Sequence, residues 1–211
     1  MNDDRRECTF IWLIENYSYC WLENGESLVS PDFTAYGLQG TFWSLIDVEL
    51  KTETKTFPAH KVWLCAISFV FKTMLSSDMR EKNSNIIPID DLENDTVQQL
   101  LQFIYTDRLE DLCWDSATKL YYAGDKYQIE RLKVICSSFL VNNVSPSSAS
   151  ELLILADKHS DSDLKEAVED FILRHEEQVF ELEEWHKLTE TNSQLALKTM
   201  LLKYKKKMTD A

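Results

Sequence analysis

The run Asp47-Val48-Glu49-Leu50-Lys51-Thr52-Glu53-Thr54-Lys55-Thr56-Phe57-Pro58-Ala59-His60-Lys61 decides how this chain folds. Val48 and Leu50 alternate with Glu49 and Lys51, which is the period of a strand with one buried face. The polar Thr52-Glu53-Thr54-Lys55 reads as a turn and Thr56-Phe57 as the returning partner strand. Residues 61–68 and 69–75 then read as two short helices. Their apolar Val62, Leu64, Cys65, Val70, Phe71 and Met74 leave few polar faces, as expected of a central, buried pair.

Downstream the same alternation of types continues. Ile86-Ile87-Pro88-Ile89 predicts a short strand, and its proline puts that strand at an edge or an end. Asn94 or Asp95 can cap a helix in which Val97, Leu100, Leu101 and Ile104 form one apolar stripe. Residues 116–125 and 129–141 predict two more helices. After Val144 the pattern is helical throughout. Ser145-Pro146 opens a helix carrying Ala149, Leu152, Leu153 and Ala156, and Asp161 or Ser162 caps the next, with Leu164, Ala167, Val168, Phe171 and Ile172. Shorter helices follow to Trp185, expected as a core anchor, and Leu188, with a last helix over 193–205. Upstream, residues 8–34 read as short extended pieces, with Asn24-Gly25 suited to a hairpin turn. The fold class is therefore α/β, a helical core with a small mixed sheet, followed by an all-α extension.

Composition excludes several functions. The chain has 211 residues, 44% of them hydrophobic and 11% aromatic, enough to bury a core. A formal charge of -14 argues against nucleic-acid binding, because phosphates require clustered cations. The locally basic stretch is Lys203, Lys205, Lys206 and Lys207, which suits either a nuclear address or the C-terminal end of a helix macrodipole. Five scattered cysteines (Cys8, Cys20, Cys65, Cys113, Cys136) suggest no disulfide framework and fit a reducing compartment. No apolar run approaches the ~18 residues of a membrane span, and Met1-Asn2-Asp3-Asp4-Arg5-Arg6 precedes no apolar signal core, so a soluble protein of the nucleus or cytoplasm is expected, with no membrane partner. With four glycines (Gly25, Gly37, Gly40, Gly124) there is no phosphate-cradling loop or nucleophile elbow. His60 has neither a nucleophile spaced beside it nor a second histidine to complete a metal set, so no catalytic residue, metal or cofactor is assigned. The acidic run Glu176, Glu177, Glu181, Glu183, Glu184 reads as a solvated face.

Taken in order, Asp47-Val48-Glu49-Leu50, Phe57-Pro58-Ala59-His60-Lys61, Met79-Arg80-Glu81, Phe103-Ile104-Tyr105-Thr106 and residues 125–133 resemble the BTB/POZ domain, in particular that of the speckle-type POZ proteins. Phe10, Trp12, Ile14-Glu15-Asn16-Tyr17-Ser18, Gly25-Glu26 and Ser30-Pro31-Asp32-Phe33 resemble the opening of a MATH domain, too short here for the whole sandwich. Leu153-Ile154-Leu155-Ala156-Asp157-Lys158-His159-Ser160 resembles the BACK domain. The resemblance implies a MATH remnant over residues 1–35, a BTB/POZ domain over 36–141 and a BACK-like helical domain over 142–211.

It also implies sites. In BTB domains the equivalents of Asp47 and Lys61 form a buried or semi-buried charged pair, which fixes register more than it adds stability. Met79-Arg80-Glu81 matches the hydrophobic-x-Glu element by which adaptors of this family dock on cullin-3: an apolar knob for a pocket and a carboxylate for the partner's cations or amides. Tyr127 would continue that cullin-facing surface, or else be a half-buried core tyrosine. Leu38, Trp43 and Trp63 fall where a symmetric dimer seam would lie. One departure stands out: where the family has an Arg/Lys-Ser-Pro-x-Phe turn, this chain has Ile67-Ser68-Phe69-Val70-Phe71, without the basic residue or the proline.

The function implied is non-enzymatic. A dimeric adaptor of a cullin-3 RING ubiquitin ligase would hold substrates near the charged E2 enzyme. The alternatives are a regulator forming mixed dimers with full-length MATH-BTB relatives and a corepressor-binding BTB module. The partners expected are the cullin-3 scaffold, the chain itself or related BTB proteins, and ubiquitination substrates.

Overall fold

The structure is a computed structural model, and it describes residues 32–35, 38–41, 46–76 and 85–209, with side chains at 46–76 and 85–204. The expected hairpin at Asn24-Gly25 lies outside the described residues. Contacts divide the chain into two compact units, Met1–Val134 and Ile135–Ala211.

The first unit begins with an antiparallel pair, β1 (Asp32–Ala35) and β2 (Leu38–Thr41), in which Asp32 faces Thr41. A three-stranded sheet follows, ordered β4-β3-β5, from β3 (Val48–Lys51), β4 (Thr56–Ala59) and β5 (Ile86–Pro88). β3 pairs antiparallel with β4, Leu50 opposite Phe57, and parallel with β5, Leu50 opposite Ile87. Those three side chains are buried, while Glu49 and Lys51 point to solvent, so the alternation read from the sequence sets the sheet's inner face. Pro88 falls at the end of an edge strand, where its missing N–H breaks no ladder.

Two short helices, α1 (Lys61–Ile67) and α2 (Phe69–Ser76), lead from β4. Next come α3 (Asn94–Thr106), α4 (Trp114–Lys126) and the start of α5 (Glu130–Asn142). The predicted stripe of α3 is buried at Val97, Leu100, Leu101 and Ile104. Its N-cap is Glu93, with no side-chain cap bond, and not Asn94 or Asp95. Asn94 is used elsewhere: its Oδ1 accepts from the Thr52 hydroxyl at 2.7 Å and its Nδ2 donates to Thr54 at 2.9 Å, tying α3 to the β3–β4 turn.

The second unit holds the remainder of α5 and five helices: α6 (Pro146–Lys158), α7 (Ser162–Arg174), α8 (Glu176–Phe180), α9 (Glu183–Thr191) and α10 (Ser193–Thr209). Proline occupies the first turn of α6, where no N–H is needed, and Ser145 and Ser148 close a capping box around it. Asp161 caps α7 by accepting from the Leu164 N–H at 3.0 Å. Trp185 is buried in this unit against Phe180, ring centroids 4.7 Å apart. Among the described residues no helix is long and apolar enough to cross a membrane.

Candidate functional site

The first unit concentrates its distinctive side chains around the start of α1. His60, just before the helix, has extended backbone and a buried imidazole. Its main-chain N–H donates to the Tyr105 hydroxyl at 3.0 Å, and the same oxygen lies 2.8 Å from His60 Nδ1. One turn on, the half-buried Trp63 ring packs on Tyr105 with centroids 5.8 Å apart. Tyr105 on α3 thus fixes two successive turns of the entry into α1.

Asp47 and Lys61 do meet, but not as a buried charged pair. Asp47 Oδ1 accepts the main-chain N–H of Lys61 at 2.7 Å, while Lys61 Nζ donates to Asn85 Oδ1 at 2.6 Å. Asp47 is exposed and Lys61 half-buried. The physical reason is local: the first amide of α1 has no acceptor within its own helix, so the carboxylate meets that orphan donor and the ammonium reaches a neighbouring loop.

Between α1 and α2 the chain is extended for one residue, Ser68, which is buried. Its hydroxyl accepts from the Phe71 N–H at 3.1 Å and its carbonyl from Lys72 N–H at 3.0 Å, so Ser68 is the N-cap of α2. The same hydroxyl donates to the Tyr127 carbonyl at 2.6 Å. The Phe71 and Tyr127 rings stack at 4.4 Å with planes 12° apart.

Tyr127 is consequently a core residue, 1% exposed, and not part of a partner-facing surface. Burial pushes its phenol above the ordinary tyrosine value. The expected burial of the α1–α2 pair needs the opposite correction. Val62 and Phe69 are each 68% exposed, and in these two helices the buried apolar residues are Leu64, Phe71 and Leu75. Helices of seven and eight residues present a single narrow stripe to the core, so the remaining apolar positions face outward. The half-buried Cys65 lies on α1, and burial holds its thiol above the ordinary value, with Lys72 and Lys61 acting against the rise.

Leu38 lies in β2, opposite Ala35, and its side chain is outside the described residues, as are Trp43, Met79 and Glu81 altogether. Of the residues singled out from sequence, Asp47, Lys61 and Trp63 come together at α1, and Tyr127 lies in the core beneath α2. Sequence reading did not assign Tyr105 or Ser68. The signal for Tyr105 was its place one residue after Ile104, at the end of a buried stripe; for Ser68, it was a serine between two helical runs.

An acidic groove lies beside the β3–β4 turn, lined by Glu53, Asp90, Asp91 and Glu93. Burial raises the Asp91 carboxyl, but hydrogen bonds from Lys126 Nζ at 2.5 Å and the Tyr122 hydroxyl at 2.9 Å outweigh it, and the group titrates below its ordinary value. Among the described residues no cluster of His, Cys, Asp and Glu is arranged to hold a metal ion.

This architecture agrees with the family comparison. The family model for the BTB/POZ domain matches residues 38–144. TD and POZ domain-containing protein 5 of Mus musculus is 39% identical over 140 residues, which cover 66% of this chain and 41% of the mouse protein. The chain thus spans about two-fifths of that relative's length. Among solved structures, the BTB domain of zebrafish PATZ1 is similar with a TM-score of 0.40 at 21% identity, over 45% of this chain and 75% of that one.

Proposed function

The chain belongs to the BTB/POZ family, and on that premise we propose that it is a dimeric adaptor that binds a cullin-3 scaffold and brings proteins to a RING ubiquitin ligase. A protein-interaction role follows from the family itself, whose domains self-associate and bind other BTB proteins. The adaptor would carry no chemistry of its own. Holding a substrate near the charged E2 raises its effective concentration, which is the whole contribution a scaffold makes.

The observation that supports this reading is that Val62 on α1 and Phe69 on α2 both face solvent. Large apolar side chains left in solvent on neighbouring helices are the kind of surface that a partner can cover. For the scaffold contact, the burial of Tyr127 leaves Met79 and Glu81 as the assigned residues.

Light scattering tests the dimer, and a pull-down with the cullin-3 N-terminal domain tests the adaptor. The wild type is expected to bind and Met79→Ala/Glu81→Ala to lose binding. Equal binding by the double variant removes those residues from the mechanism. No binding by either, with dimerisation intact, replaces the adaptor with a regulator that acts through mixed dimers.

A further inference from the structure

We draw no further inference here: the strongest candidate, the acidic groove of Glu53, Asp90, Asp91 and Glu93 beside the β3–β4 turn, is a cluster of carboxylates in which Asp91 and Glu93 are already held by Lys126 and Lys119, and nothing among the described residues points to a ligand for it.

Discussion

The Tyr105 hydroxyl holds His60 twice, at its main-chain N–H and at Nδ1, across 45 residues of sequence. It is the point at which α3 and the entry to α1 become one structure. Tyr105→Phe keeps the ring against Trp63 and removes the shared oxygen. A loss of about 1–3 kcal/mol is expected, because buried polar groups lose a partner while packing is kept. Urea unfolding measures it, and a loss below a few tenths of a kcal/mol would show the hydroxyl to be dispensable.

Gly124 is required by a close approach. A Cβ there would sit 3.0 Å from Lys133 N and 3.3 Å from Lys133 Cα, both backbone atoms that cannot rotate away. Helix propensity alone favours alanine by about 1 kcal/mol, so the sign of the change decides between the two effects. Gly124→Ala is expected to destabilise by about 1–3 kcal/mol, read as a lower melting temperature.

Asp91 ties the loop before α3 to α4 through Lys126 and Tyr122. Because its carboxyl titrates below the ordinary value when folded, the stability it contributes is present above the unfolded pKa and is lost as pH falls through the folded one. Unfolding free energy should therefore drop below about pH 4. Asp91→Asn should be less stable than wild type at neutral pH and show a shallower acid limb. Parallel acid limbs would remove Asp91 as a contributor.

Val62→Asp/Phe69→Asp introduces charge at two solvent-facing positions of α1–α2. The fold should persist, with melting shifted little, while self-association weakens by about tenfold or more, as for charge placed in an apolar contact. Sedimentation equilibrium gives the dissociation constant. An unchanged dimer would move the pairing face elsewhere.

What could be read from residues alone was whatever depends on period. The alternation at Val48 and Leu50 gave β3, and the spacing of Val97, Leu100, Leu101 and Ile104 gave the buried face of α3. Where several bonds compete for one side chain, periodicity says nothing. Asn94 is a natural cap by type yet serves Thr52 and Thr54; Asp47 answers a helix amide instead of an ammonium. Tyr127 sits just past the end of α4, where no stripe indicates a face, and its burial depends on stacking with Phe71 from a helix more than fifty residues earlier. Val62 shows the reverse limit, since an apolar residue in a short helix reads as core whether the core or a partner covers it.

The serine between α1 and α2 has a consequence for the residue that follows it. Because the Ser68 side chain and carbonyl begin α2 and anchor it to Tyr127, the following position is relieved of the duty that a proline would discharge. Phe69, at that position, is 68% exposed, so its side chain adds little to the core. The start of α2 is thus set by a residue that faces inward, and the solvent-facing side chain beside it is spared that task.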